Sequence, residues 1–551
     1  MSSPHFFTRR SFLTQSFKTS LGIALASLTD VPFVVKRALA EGSIGLNGKK
    51  LLFIWLRGAN DGINTLIPAG DSAYGPGIRP SLAVPMDTPG GFYTTAGPCF
   101  DATQFADAYG TPRAASDATF SYAKAIPTGN GFAALHPSLK FLAPVYNAGH
   151  LALIHRVAYP KQSRSHFDSQ NYWENGTPNN NLIKDGIFYR AMIESGLAAA
   201  NPLTGVSIQS ALPLILRGDA AAMTNISNVS RYALLGVPGV TGLDKSENAL
   251  RAAQAFPFAS KRNRELLKLQ YANLLNTLPL FEEIATLMNT NYVDDGPTDG
   301  DFSYTLFPVS NATNGGYTRP GGGTDANKYV VDTSAYKSDG TGFCQNLKAA
   351  ALVLNKTDAI IAGTEFSGFD THSNQGTTAG NHPNLLRRVG WAFYALRKYF
   401  LQHADRATWN NLIIVTLSEF GRGTLENSDS GTDHAEAGVM CVGGGGVRGW
   451  NGLGRNGVFG CHTADAVPWI PGPADQGGGV NGSLFGVNKV YLKRAVDYRS
   501  VLGEVIRDHL GATPGQLARI IPGYANAAEK LQTGGVSGVD NVPILGELNL
   551  V

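Results

Sequence analysis

Four short apolar runs, each followed directly by polar residues, are the feature of this sequence that most limits its fold. Aliphatic and β-branched runs of this length are typical of strands buried in a parallel sheet, and ligands collect beyond the carboxyl ends of such strands. We therefore expect four strands whose polar ends meet at one site. The runs with their polar ends are LLFIWLRGANDG (51–62), LALIHRVAYPKQSRSHFD (151–168), AIIAGTEFSGFDTHSNQ (359–375) and LIIVTLSEF (412–420).

Helical patterns alternate with these apolar runs. The clearest covers residues 382–400, where Leu385, Val389, Phe393 and Leu396 fall on one face of a helix. Strands that alternate with helices indicate βαβ units. The sequence therefore predicts an α/β fold.

The first forty residues carry the three parts of a twin-arginine export signal. Arg9 and Arg10 precede a weakly apolar stretch at 21–35, and a small-residue cleavage pattern follows at 38–40. We expect the twin-arginine translocase to export the folded chain, and the mature protein to be periplasmic or secreted. An aspartate and a proline interrupt the apolar stretch, so we expect no stable membrane span. The alternative is an ordinary basic tail.

Charge and size exclude some classes of partner. The whole chain has a formal net charge of +3, and removal of residues 1–40, with five basic side chains and one acidic, leaves −1. A near-neutral protein has no electrostatic basis for binding nucleic acid or an anionic membrane. Because 43% of the residues are hydrophobic, the chain can form a large core.

The cysteines are too few and too scattered for a disulfide scaffold or a thiolate zinc site. Cys441 and Cys461 flank a glycine-rich loop, and they either pair after export or remain buried free thiols. The full set is Cys99, Cys344, Cys441 and Cys461.

We expect one domain over residues 45–525 with three loop-rich insertions, followed by a C-terminal tail at 526–551. The insertions have no sustained hydrophobic period and are rich in small polar residues, which is typical of loops that surround the mouth of a site. They lie near residues 74–130, 289–342 and 421–483.

Five motifs in a fixed order carry a family resemblance. They are WLRGANDGINTLIP (55–68), SRSHFDSQNYWENG (163–176), GFDTHSNQ (368–375), TLSEFGR (416–422) and GTDHAEAG (431–438). Behind a twin-arginine signal, this set resembles the bacterial DUF1501 family over roughly residues 50–522. That family resembles in turn a branch of the alkaline phosphatase and sulfatase superfamily.

The resemblance implies an alkaline phosphatase-like fold, which is a doubly wound, mostly parallel sheet with helices on both faces. It also implies a metal-centred site at the strand ends. Enzymes of this kind cleave phosphate or sulfate esters with one or two divalent cations, commonly zinc, and here calcium or magnesium are the alternatives.

The resemblance further implies which residues hold the cation. Carboxylates and imidazoles are ligands that zinc takes in proteins. Asp433 is expected either to orient a ligand or to be one, and Phe420 stands where related enzymes usually carry a histidine. Asp61 has an alternative role in an Asn-Asp-Gly turn. The expected metal ligands are Asp61, Asp370, His372, Glu419 and His434.

Ser165 is the expected nucleophile, and the neighbouring His166 is the second expected catalytic residue. Ser165 also fits a helix N-cap with Asp168 in the first turn. The two roles are compatible because amide hydrogens at a helix start stabilise an alkoxide. Ser163 is the alternative nucleophile.

Four further side chains are expected to contact the oxygens of a phosphate or sulfate ester. Amide and guanidinium groups suit such oxygens, although an arginine near a strand end equally forms a salt bridge with a neighbouring carboxylate. The expected substrate-binding residues are Arg57, Asn64, Asn374 and Arg422.

Two functions from different classes follow. The first is an exported metal-dependent hydrolase of phosphate or sulfate esters, in which a serine attacks a metal-polarised centre. The alternative is a non-catalytic binding or assembly protein on a degenerate alkaline phosphatase-like fold. A glycosidase with paired carboxylates is a weaker third candidate because its acids need no histidine cluster.

Overall fold

The computed structural model describes a large part of the chain. The described residues are 44–86, 125–198, 202–221, 223–229, 279–293, 303–309, 317–318, 338–378, 380–449, 457–472 and 482–551. The expected export signal, Cys99 and parts of all three expected insertions lie outside these ranges.

The described strands are numbered in chain order. They are β1 (Lys50–Leu56), β2 (Leu66–Ile67), β3 (Ile126–Pro127), β4 (Ala134–Leu135), β5 (Leu151–Ala158), β6 (Gly205–Ile208), β7 (Thr224–Ile226), β8 (Ser303–Tyr304), β9 (Tyr317–Thr318), β10 (Ile361–Phe366), β11 (Leu412–Leu417), β12 (Gly438–Gly443), β13 (Val458–Phe459), β14 (Val496–Asp497), β15 (Gly535–Val536) and β16 (Pro543–Ile544).

The α-helices whose two ends are described are numbered in the same way. They are α1 (Gly62–Thr65), α2 (Ala143–Asn147), α3 (His166–Asn175), α4 (Ile187–Glu194), α5 (Ser338–Lys356), α6 (Asn381–Gln402), α7 (Tyr498–Glu504) and α8 (Pro514–Ile520). Residues 279–287 are also helical, and a π-helical turn, Val505–His509, continues α7.

A central sheet of nine described strands organises the protein. Its order is β13-β5-β12-β11-β1-β10-β6-β7, and β14 pairs with β5. Strand β1 pairs in parallel with β10 and β11, whereas β12 runs antiparallel to both β11 and β5. The four predicted strands β1, β5, β10 and β11 therefore point the same way, which confirms the expected mostly parallel sheet.

Both faces of the sheet are covered. Successive side chains of a strand point to opposite faces, so a strand with two covered faces contributes to two buried clusters. Leu52 and Ile54 of β1 join one buried cluster, and Phe53 and Trp55 join a second. Helices α5 and α6 contribute to the first cluster, and α4, α7 and α8 contribute to the second. The described part of the chain is thus a mixed α/β protein with helices on both faces.

Helix α6 agrees with the pattern that predicted it. It covers Asn381–Gln402, and Leu385, Val389, Phe393 and Leu396 are all buried on it. These positions recur every three or four residues, so their side chains form one apolar stripe against the sheet.

The residues expected to form a C-terminal tail pack instead against the core. Ile544, Leu548 and Leu550 belong to the second buried cluster, and the amide of Leu548 donates to Glu504 at 2.8 Å. Their apolar side chains are periodic only over a few residues, which is why the pattern did not reveal this packing.

The described cysteines are free thiols. Cys344, Cys441 and Cys461 are all buried and unpaired, so the alternative of free thiols holds for Cys441 and Cys461. No helix among the described residues is both long enough and apolar enough to cross a membrane.

Candidate metal centre

Three imidazoles and one carboxylate converge at the carboxyl edge of the sheet. His166 begins α3 after β5, Asp370 and His372 follow β10, and His434 lies in the segment between β11 and β12. Within that segment Arg422 and His434 form an isolated antiparallel bridge. The strand ends therefore bring together residues that lie far apart in sequence.

The ring nitrogens at the centre of this histidine cluster are close to one another. His434 Nε2 lies 3.0 Å from His166 Nε2 and 2.9 Å from His372 Nε2. Asp370 Oδ1 lies 3.2 Å from His434 Nε2, 3.1 Å from His372 Nε2 and 3.5 Å from His166 Nε2.

Each imidazole has an acceptor at its other nitrogen. His166 Nδ1 lies 2.8 Å from Glu419 Oε1, and His372 Nδ1 lies 3.0 Å from Asp433 Oδ1. His434 Nδ1 lies 2.9 Å from the backbone carbonyl oxygen of Arg164. Because these partners accept only, each Nδ1 carries a proton, and a ring with no second proton presents a lone pair at Nε2.

Three Nε2 atoms and the Asp370 carboxylate oxygen thus face one another. If hydrogen bonds alone joined these nitrogens, His166 and His372 would each need a second proton at Nε2 to donate to His434 Nε2. The single lone pair of His434 Nε2 would then have to accept both bonds. Ligand atoms around a tetrahedral zinc, at metal distances of about 2.0–2.2 Å, lie roughly 3.3–3.5 Å apart. His166, Asp370 and His434 offer atoms that all lie within 4.8 Å of one another, so the donor set fits a cation.

Glu419 lies behind His166, on the far side of the ring from the cluster, which corrects its expected place as a metal ligand. Its Oε1 also accepts from the amide of Gly58 at 2.9 Å and from Gln170 at 3.0 Å, whereas its buried Oε2 has no hydrogen-bond partner among the described residues. Burial alone would raise the pKa of Glu419, but the hydrogen bond from His166 lowers it. The carboxylate is therefore ionised and orients His166.

Asp433 accepts from His372 Nδ1, a position that suits the orienting role, one of its two expected alternatives. The Nδ1 partners of His166 and His372 are thus carboxylates that make these rings better ligands. Phe420 packs beside the cluster, with ring centroids 4.8 Å from His166 and 4.9 Å from His434. It forms an apolar wall where the resemblance suggests a further histidine.

Arg422 contacts the cluster through Asp370. Its guanidinium donates to Asp370 Oδ1 and to the carbonyl oxygens of Ala59 and Thr432, each at 2.9 Å. Burial by itself would raise the pKa of Asp370, but Arg422 lowers it to about 2. Arg422 is fully buried with these donors occupied, so the structure corrects its expected place as a substrate contact.

The other arginine expected to contact substrate forms a salt bridge. Arg57 lies 2.9 Å from Glu174 and 3.1 Å from Glu365, and it stacks on the ring of Trp55 at 4.3 Å. The alternative of carboxylate pairing therefore holds for Arg57.

Among the described residues, neither asparagine expected to contact substrate forms a hydrogen bond with the histidine cluster. Asn64 is buried and donates to the carbonyl of Leu82 at 2.8 Å, while its Oδ1 accepts from Tyr74 and Arg79. Asn374 is exposed with φ at +48°, and its backbone amide donates to the carbonyl of Asp429.

Asp61 does not reach the cluster, which corrects its expected place as a metal ligand. It caps α1, and Arg79 donates to Oδ2 at 2.6 Å and to Oδ1 at 3.2 Å. Gln375 also donates to Oδ2 at 2.6 Å. Burial would raise the pKa of Asp61, but Arg79 lowers it to about 2, so a buried ion pair takes up this carboxylate.

Ser165 occupies the expected N-cap of α3. Its Oγ accepts from the amide of Asp168 at 3.4 Å. Within the described part of the chain, no imidazole or carboxylate lies within hydrogen-bonding distance of that Oγ. The neighbour His166 instead directs its ring towards Glu419 and His434.

Sequence reasoning missed Arg79, which holds Asp61 together with Gln375. Arg79 falls in a loop-rich tract, and no local pattern marks it as a buried ion-pair partner.

Two glycines at the site occupy positions where a side chain would not fit. A Cβ on Gly58, at φ +108°, would lie 2.4 Å from the amide nitrogen of Asp370, and one on Gly431 would lie 2.2 Å from the carbonyl of His372.

Fold and site together define a mixed α/β protein with a histidine and aspartate cluster at the carboxyl edge of a mostly parallel sheet. A sequence model of the family described as Protein of unknown function (DUF1501) matches residues 327–467, which include Asp370, His372 and His434. This match supports the DUF1501 family for the chain. No curated protein and no solved structure matches it.

Proposed function

We propose that the protein is an exported metal-dependent hydrolase of phosphate or sulfate esters. The observation that carries the proposal is the convergence of three Nε2 lone pairs on Asp370 Oδ1, with each Nδ1 held by an acceptor. In this proposal His166, His434 and Asp370 hold the cation, and His372 adds a further nitrogen.

The donor set favours zinc among the candidate cations. Zinc takes imidazole nitrogen and carboxylate oxygen in four-coordinate sites, whereas calcium and magnesium prefer oxygen ligands. Three nitrogens against one oxygen therefore argue for zinc, or for another imidazole-binding transition metal.

Exposure favours a reactive site over a purely structural one. The side chains of His372 and Asp370 are 44% and 47% exposed, so an ester in solution can reach the cluster. A bound divalent cation would supply charge neutralisation at the anionic ester and would activate an oxygen nucleophile.

The protein's own groups would hold and orient this chemistry. Glu419 fixes the ring of His166, and Arg422 keeps Asp370 ionised. We propose Ser165 as the nucleophile because it lies at the N-terminus of α3 beside His166, where amide hydrogens favour an alkoxide.

The second candidate is a binding or assembly protein on the same α/β fold. Two observations favour it: Ser165 Oγ has no base within hydrogen-bonding distance among the described residues, and Arg57 and Arg422 are already engaged by other groups. Such a protein would hold a cation, a glycan or a secreted partner without turnover.

Elemental analysis of protein purified after export by its own pathway tests the proposal, together with a screen of aryl phosphates, phosphodiesters and aryl sulfates. We expect stoichiometric metal and turnover in the unaltered protein. His434→Gln should lose both, and Ser165→Ala should keep the metal but lose turnover. The matched control is His403→Gln, directly after the C-terminal end of α6. This variant should keep both metal and turnover.

The outcomes separate the candidates. Metal without turnover on any of these esters would favour the binding protein. Turnover that survives in Ser165→Ala would remove the serine from the mechanism but keep the metal-dependent hydrolase. Export has its own test, because replacement of Arg9 and Arg10 by lysine should leave the protein in the cytoplasm.

A further inference from the structure

A buried polar network lies beneath the histidine cluster, at the carboxyl end of β1. Its centre is the side-chain amide of Gln375, which is fully buried. The amide Nε2 donates to Asp61 Oδ2 at 2.6 Å. Its Oε1 accepts from the hydroxyls of Thr371 at 3.0 Å and Thr432 at 2.6 Å.

These partners join three separate parts of the chain. Asp61 follows β1, Thr371 follows β10, and Thr432 follows β11. The main chain at Gln375 adds two contacts, because its amide donates to the carbonyl of Ser430 at 3.0 Å and its carbonyl accepts from the amide of His382 at 2.9 Å. One glutamine thus ties the ends of three neighbouring strands together.

The two threonines lie next to the cluster in sequence. Thr371 stands between Asp370 and His372, and Thr432 is two residues before His434. A direct backbone bond joins the two loops as well, since the amide of Thr432 donates to the carbonyl of Thr371 at 3.1 Å. Any displacement of either hydroxyl would therefore move the side chains that face the cation.

The network is anchored on its other side by a buried charge. Arg79 donates to Asp61 and to the carbonyl oxygens of Gly423 and Thr424, at 2.7 and 3.0 Å. This ion pair fixes the position of the Asp61 carboxylate, so the acceptor that faces Gln375 cannot shift. A fully bonded buried network of this kind favours one arrangement over its alternatives.

We infer that Gln375 is a positioning residue for the metal centre. Gln375 sets the spacing between two loops, one that carries Asp370 and His372 and one that carries His434. This inference rests on the proposed cation site, and it does not depend on which ester is cleaved. It also explains the place of Asp61, whose carboxylate holds Gln375 and leaves the cation to other ligands.

Cobalt(II) binding to the metal-free mature protein tests this inference without any substrate. Gln375→Met keeps the length of the side chain but removes its three side-chain hydrogen bonds. We expect cobalt affinity to fall by about 10- to 100-fold, the usual effect of losing an outer-shell partner. The visible absorption bands of the bound cobalt should also change, because they report the coordination geometry.

Two controls separate positioning from a general loss of stability. Gln402→Met makes the same change where both amide atoms have no hydrogen-bond partner among the described residues, and cobalt affinity should stay unchanged. Thr432→Val removes one hydroxyl from Gln375 and should weaken binding and shift the spectrum, whereas Thr432→Ser keeps that hydroxyl and should restore both. These variants decide the matter if Gln375→Met does not fold.

Unchanged affinity and spectrum in Gln375→Met or in Thr432→Val would overturn the inference while leaving the cation site intact. Cobalt binding without ester turnover would overturn only the proposed hydrolase. No cobalt binding by the unaltered protein would overturn both the cation site and the positioning role.

Discussion

Replacement of Asp61 by asparagine tests the claim that this carboxylate serves a buried ion pair. Asp61 and Arg79 are both fully buried and lie 2.6 Å apart. Asp61→Asn keeps the shape but leaves the Arg79 charge buried with no carboxylate partner. Loss of one partner from a buried pair typically costs about 3–5 kcal/mol of unfolding free energy.

The pKa of Asp61 gives an independent and lower value for the unfolding free energy that this ion pair contributes. Its fall from 3.8 to about 2 corresponds to about 2 kcal/mol, at 1.36 kcal/mol per pKa unit. Because the folded-state pKa is depressed, this stability is present above pH 3.8 and is lost as the pH falls towards 2. We therefore expect Asp61→Asn to destabilise the protein by about 2–5 kcal/mol at pH 7, and the difference to shrink below pH 4.

Urea unfolding of the protein measures this difference, with tryptophan fluorescence and circular dichroism as coincident probes of a single transition. The matched control is Asp405→Asn, which breaks the exposed pair of Lys356 and Asp405 at 2.9 Å. An exposed pair contributes at most about 1 kcal/mol. Equal destabilisation by the two variants, or a difference that does not fall in acid, would refute the reasoning.

Three further predictions concern the cluster and the thiols. Gly431→Ala should weaken cobalt binding at least about tenfold, because its Cβ would lie 2.2 Å from the carbonyl of His372, whereas Gly77→Ala meets nothing within 4 Å and should have no effect. Glu419→Gln should lower cobalt affinity by about 10- to 100-fold, since a neutral amide no longer selects the Nδ1-protonated form of His166; unchanged affinity would show that the carboxylate does not orient the ring. The described thiols should not react with a disulfide reagent until the protein unfolds, because burial raises the pKa values of two of them to about 12 and that of the third well above its usual value; reaction in the folded state would contradict their burial. They are Cys344, Cys441 and Cys461.

Local pattern was sufficient for the main strands and for α6. The four apolar runs are strands of one sheet because a segment with apolar side chains on both faces is stable only between two covering layers. The antiparallel direction of strand β12 depends on the path of the segment that leads into it. That path is a tertiary property, since the same six residues could pair in either direction.

The cluster was partly predictable. The motifs named His166, Asp370, His372 and His434 as site residues, and the parallel direction of β1, β10 and β11 brings the ends of these strands to one edge. The sequence could not reveal that Glu419 lies behind an imidazole. That depends on side-chain directions at the start of α3, which are set by packing against the neighbouring strand.

The sequence by itself determined which segments are strands and which residues carry the chemistry, because hydrophobic period and residue type are local properties. Only the tertiary structure decided which carboxylates face the histidines. Asp61 is held by Arg79, 18 residues away, and by Gln375, 314 residues away. The partner of a buried charge is the group that folding brings within hydrogen-bonding distance, and sequence separation does not specify it.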